Sequence, residues 1–246
     1  MELIFNNQIS ILIDIIPLYL TTPKQCTKLY TSNLILYNIF IENNKFENNY
    51  FTPRTKQELK IAVNEWCDNR EKSIIKYGHI SNWNTIKITN MIGLFKYKVD
   101  FNDDISNWNT SNVQNMSGMF HYAENFNQSL NNWDVSNVKY MLCMFDNASN
   151  FNQPLNNWNT SNIKDMGFMF YNAKKFNQPI NNWDVSNVKY MGNMFNNALE
   201  FNQPLNNWNT LNVINMSYMF YNANKFYQSI ENWNVCNLIY ISNLFF

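Results

Sequence analysis

Few of the features that announce chemistry are present in this sequence. Only five glycines occur in 246 residues, ungrouped, so there is no glycine-rich phosphate loop. The four cysteines, Cys26, Cys67, Cys143 and Cys236, make no CxxC pair and share no spacing. That argues against both a disulfide ladder and a zinc site, and they read as free thiols in a reducing compartment. His79 and His121 stand apart, so no paired base or metal site is visible and no cofactor is expected. Lys plus Arg and Asp plus Glu both number 18, so no excess positive charge is available to hold phosphates or an anionic membrane. Nucleic acid is therefore not an expected partner. The most apolar window, Ile9 to Leu20, is too short to span a bilayer and contains Asp14 and Pro17. Glu2 stands where a secretion signal carries Lys or Arg, and no small-residue cleavage site follows. An intracellular protein without a membrane span is the expectation.

What the chain does have is aromatic residues, 17% of the total, and a fixed place for many of them. Trp83, Trp108, Trp133, Trp158, Trp183, Trp208 and Trp233 lie 25 residues apart. Around each the same apolar pattern returns: Ile or Leu three before, Val or Thr two after, then pairs such as Met191 and Met194, then Phe195 and Phe201. The pattern predicts a repeat protein of seven coils over 80–246, the last cut short. Leu130, Trp133 and Val135 have the L-x-x-L-x-L spacing of a strand, with Trp133 and Val135 pointing inward. Val138, Met141, Met144, Phe145, Ala148 and Phe151 fall within an arc of roughly 140° at helical periodicity, which predicts a short helix. Two helices per coil would need about 33 residues, so a 25-residue coil holds one strand and one helix. The predicted fold class is α/β, a leucine-rich-repeat-like solenoid with one short parallel strand and one short helix per coil.

Ahead of the coils, Thr55 and Glu58 have capping-box spacing before Leu59, Ala62, Val63 and Trp66, predicting a helix from about Lys56 to Cys67. The expected organisation is a small N-terminal helical module over 1–50, a capping helix within 51–79 and the solenoid over 80–246.

The repeated motif W-[ND]-[VT]-S-N-V-x-x-M-x-x-M-F-x-x-A-x-x-F-N-Q-[PS]-[LI] resembles the BspA-like leucine-rich-repeat family, over about Thr52 to Phe246. That resemblance implies a solenoid that binds partners, in some members host proteins, without a catalytic site. Such repeats are found in bacterial surface proteins and in proteins of large DNA viruses, so surface exposure is an implication of the family alone. The bias towards Asn, Ile, Lys and Tyr fits an AT-rich genome. Near the N-terminus, Ile11, Leu12, Ile15, Ile16 and Pro17, followed by Cys26, Lys28 and Tyr30, are similar to an F-box, which implies an adaptor for a ubiquitin ligase as an alternative function.

No residue is assigned a catalytic or metal-binding role. The Trp ladder is read as core, and the FNQ triplets at 126, 151, 176 and 201 as stacked amide ladders. The expected partner-binding residues are the outward ones on the concave strand face: Asn132, Asp134, Ser136, Asn157, Asn159, Ser161, Asn182, Asp184, Ser186, Asn207 and Asn209. This polar, nearly uncharged row suits recognition of a protein or a glycan, and the function expected is a non-enzymatic interaction module. Asp134 and Asp184, two coils apart, raise a glycan-active enzyme as the remaining alternative. The final coil ends at Leu244, Phe245 and Phe246 with no polar cap, which predicts end-to-end self-association or fraying of that coil.

Overall fold

The computed structural model describes residues 50–245. The N-terminal module, the F-box-like segment and Cys26 lie outside them.

Helix α1 spans Lys56–Asp68 and α2 spans Arg70–Tyr77. The Thr55 side chain accepts from the Glu58 amide at 3.1 Å, while the Glu58 carboxylate reaches back to the Arg54 amide at 2.7 Å. This satisfies donors that a helix start leaves unpaired. Leu59, Ala62, Val63 and Trp66 are all buried, as their spacing requires. The break between the helices falls at Asn69, which closes α1 and caps α2 by accepting from the Lys72 amide at 3.0 Å. Gly78, at φ 72°, ends α2 in a conformation open to glycine and turns the chain into the first coil. The helices cover that coil: Trp66 meets Trp83 edge-on at 6.0 Å, and Tyr77 and Phe51 pack on the same indole at 5.9 and 5.3 Å. The sequence reading contained α1 but not α2.

The coils differ from expectation in a specific way. Val138–Phe151 forms no helix, and Leu130–Ser136 forms no strand pairing. Both become turns, and the parallel bridges fall at Asn90, Asn115, Tyr140, Asp165, Tyr190, Asn215 and Tyr240, inside the segment expected to be helical. The reason can be read from the amides. Met141, Cys143, Phe145 and Asn147 donate to Asp165, Gly167, Met169 and Tyr171 of the next coil at 2.7–2.9 Å. The intervening amides of Met144, Asp146 and Ala148 close three-residue turns onto Met141, Cys143 and Phe145 at 2.9–3.3 Å. Apart from that of Leu142, every backbone donor from Met141 to Ala148 is thereby satisfied without an i→i−4 bond. The first and last of these turns have a positive φ at their third position, supplied by Cys143 and Asn147 at 56° and 58°. Gly93 and Gly118 hold the place of Cys143 in the first two coils, and Asn172, Asn197 and Asn222 hold that of Asn147 in later ones. A chain turning every three residues puts apolar side chains inward at the same intervals as a helix.

The core runs as aromatic columns through the stacked coils. Phe120, Phe145, Phe170 and Phe195 stack at 5.5–5.6 Å, and Phe126, Phe151, Phe176 and Phe201 beside them at 5.9–6.1 Å. Each such pair contributes about 0.5–1.5 kcal/mol beyond its buried area. The Trp side chains are buried as well, from Trp83 to Trp233. From Trp108 on, each indole Nε1 donates to a backbone carbonyl of the preceding coil, for Trp158 to Leu130 at 2.8 Å. The carbonyl is a distant one in sequence but a neighbour in the stack.

Candidate interaction face

Two residues beyond each Trp the chain carries Thr or Val, and the two are not equivalent. Thr110 and Thr160 are buried and donate from Oγ1 to the carbonyls of Asp134 and Asp184 in the next coil, both at 2.9 Å. Val135 and Val185 fill the same place with a methyl. The alternation of WNT and WDV therefore switches one inter-coil bond on and off without changing shape.

The residues on either side of that position form the expected outward row. Asn132, Asp134, Asn157, Asn159, Asn182, Asp184, Asn207 and Asn209 are exposed, and Ser136, Ser161 and Ser186 half-buried. Much of their bonding capacity is spent locally. Asp134 and Asp184 accept from the amides of Ser136 and Ser186 at 2.9 Å, and Asn159 and Asn209 from those of Ser161 and Leu211 at 3.2 Å. These are side-chain-closed turns, which is why Asp or Asn stands there. Asn182 donates to the Asn156 carbonyl at 2.6 Å. Among the described residues, the side chains of Asn132 and Asn207 bond nothing, so these two keep their full donor and acceptor set. The FNQ amides form the ladder expected of them: the Asn127 side chain accepts from the Asn152 amide at 2.9 Å and from Gln153 Nε2 at 3.2 Å, and Asn152 repeats this towards Asn177 and Gln178.

Two groupings were not legible as such. His121, isolated in the sequence, lies with Nδ1 2.9 Å from Asp146 Oδ2, because residues 25 apart are stack neighbours. Burial pushes the imidazole below its ordinary value, against the pull of Asp146. Cys143 beside them has its thiol pushed up to about 12 by burial and by Asp146, and burial pushes Cys67 up to about 11. Neither is thereby an activated nucleophile. The other grouping is a column of exposed lysines: the Lys164 amide donates to the Lys139 carbonyl at 2.8 Å and the Lys189 amide to that of Lys164 at 2.9 Å. The sequence signal was Lys six residues after Trp in three consecutive coils.

Where α1 and α2 meet the first coils, a cleft of about 430 Å³ is lined by Trp66, Cys67, Arg70, Lys98 and Asp103, among others. Its charges serve each other: Asp103 accepts from Trp66 Nε1 at 2.9 Å and pairs with Arg70 at 2.7 Å, and Lys98 pairs with Asp68 at 3.4 Å. Among the described residues no group of three His, Cys, Asp or Glu is arranged to hold a metal ion, and no helix is long and apolar enough to cross a membrane.

No curated protein and no solved structure matches the chain. One family model matches it twice, over residues 66–175 and 144–246, so that the two matches together cover the capping region from Trp66 and all the coils. With most of its length accounted for in this way, the chain belongs to the family described as Mycoplasma protein of unknown function, DUF285.

Proposed function

We propose that this chain is a non-enzymatic interaction module, a repeat solenoid of the BspA-like leucine-rich-repeat kind whose coils use turns in place of helices. It takes a protein or glycan partner on the outward row from Asn132 to Asn209. The observation that carries this reading is the division of labour in that row: Asp134, Asn159, Asp184 and Asn209 fix the turns, while Asn132 and Asn207 stand exposed on them with their bonding groups unused. A rigid surface with free amides gains affinity because little ordering is left to do on binding. The test is affinity purification with the wild-type chain and with the triple variant Asn132→Arg, Asn157→Arg, Asn207→Arg, which leaves the turn-closing residues in place. A partner retained by the wild type and lost by a folded variant is expected; equal retention overturns the reading.

Asp134 and Asp184 are each exposed and tied to the amide of their own turn, with Asn159 between them, so no observation favours the glycan-active alternative. The ubiquitin-ligase adaptor reading rests on residues 9–30 and would be supported by a ligase subunit that co-purifies with the full chain but not with residues 50–246. Self-association has one observation in its favour: Val235 is 51% exposed in the last coil, where Val135 is 1% exposed. A second copy seated there would cover it, and sedimentation that does not change with concentration would remove that reading.

A further inference from the structure

Around the corner turn from the outward row lie two columns that the reading above does not use. In the first, Asn137, Asn162 and Asn187 are exposed, and each donates from Nδ2 to the carbonyl of Ser111, Ser136 or Ser161 in the coil before, at 2.7 Å. That bond fixes the amide plane and its orientation. Among the described residues nothing donates to their Oδ1 atoms, so each coil presents one immobilised, unoccupied acceptor. Two residues on is the second column, Lys139, Lys164 and Lys189, joined by consecutive inter-coil backbone bonds and therefore spaced by about one inter-strand distance, ~4.8 Å.

Three ammonium groups so close repel one another, and the described residues do not compensate them: none lies within ion-pair distance of a carboxylate. Asp165, next in the chain to Lys164, is held above its ordinary value by burial, opposed by the Gly167 amide, with no lysine contribution. Tyr140 and Tyr190 flank it, 41% and 43% exposed, and offer ring surface beside the lysines. Local charge here is positive although the whole chain is neutral.

The columns together specify a partner. A ligand of charge alone would have no use for a row of fixed acceptors. An extended acidic peptide would bring carboxylates to the lysines but no hydroxyl donors beside them for the Asn Oδ1 acceptors. A linear glycan with one carboxylate and several hydroxyls per unit can give hydroxyl protons to the Asn Oδ1 atoms and carboxylates to the lysines, and can lay its C–H faces against tyrosine. We infer that the Asn137–Asn162–Asn187 and Lys139–Lys164–Lys189 columns bind a linear polyuronate running along the stack.

This inference goes beyond the outward-row reading and stands apart from it, since the arginine variants of that row leave both columns intact. The test is calorimetric titration of the full chain with a galacturonic acid hexamer at low salt, alongside the fully methyl-esterified hexamer. Saturable binding to the acid form is expected, at least tenfold weaker for the ester. It should also weaken at least tenfold in the triple variant Lys139→Gln, Lys164→Gln, Lys189→Gln with an unchanged thermal midpoint. Should that variant not fold, the single reversal Lys164→Glu carries the same expectation. No saturable binding, equal binding of the ester, unaltered binding by the folded lysine variant, or polyglutamate or single-stranded oligonucleotide binding as tightly as the hexamer would each overturn it.

Discussion

At the scale of single residues, the Trp side chains carry two loads, volume and a hydrogen bond across coils. Trp158→Ala removes a buried indole and leaves the Leu130 carbonyl without its Nε1 donor. A loss of about 3–5 kcal/mol in denaturant unfolding is expected. Asp165 is the opposite case, a residue the fold tolerates at a cost. Its carboxyl is held above its ordinary 3.8 by burial, so the ionised form is penalised in the folded chain. The penalty is absent at low pH, where the group is protonated folded or unfolded, and appears as pH rises through the folded value. Asn115 and Asn215 occupy the same place in other coils and accept from the Ser117 and Ser217 amides at 2.9 Å, as Asp165 does from Gly167. Asp165→Asn keeps that bond without the charge. It should raise the thermal midpoint at pH 7, with the gain shrinking to nothing as pH falls below about 3.8; a gain that persists there would mean that charge is not its source.

The coil is the element of this fold, and it was legible in part. Its length, its buried Trp, Met and Phe residues and its amide ladder all followed from the 25-residue period, because burial depends on which side chains recur and not on how the backbone carries them. The backbone itself was misread. Met141, Met144, Phe145, Ala148 and Phe151 have helical spacing, yet turns closed every three residues produce nearly the same intervals. The overlooked signal was Gly93, Gly118 and Asn193 at one place and Asn147, Asn172 and Asn197 four residues later, turn formers repeated within a supposed helix. The outward row is legible from strand parity counted from Trp, whereas the lysine column is not, because it lies beyond the turn where that parity ends. The positive φ has a measurable cost. Gly118, at φ 59°, has only ordinary contact around an added Cβ, with His121 at 3.8 Å, so Gly118→Ala tests conformation rather than space. It should lose about 1–2 kcal/mol, and Gly118→Asn, which copies Asn193, distinctly less. Equal losses would point to packing instead.

For the described unit as a whole, stability accumulates along one dimension. Each coil touches the next through the same backbone bonds, stacked rings and amides, and α1 with α2 closes one end by burying Trp66 against Trp83. The sequence discloses this through its period, while which exposed columns lie side by side is set by the turns.

The Thr and Val alternation makes the molecule divisible. Thr85 donates to the Asn109 carbonyl at 2.8 Å even though a second Thr coil follows, so a Thr coil accepts either kind as its successor. Excising 133–157 should therefore splice two compatible surfaces, with the Thr110 coil followed by the Thr160 coil, and yield a shorter, folded chain with one fewer lysine in its row, whereas excising one residue less would throw every later ring out of line. Length is thus a quantity this architecture can change in whole steps, and with it the reach of whatever it holds.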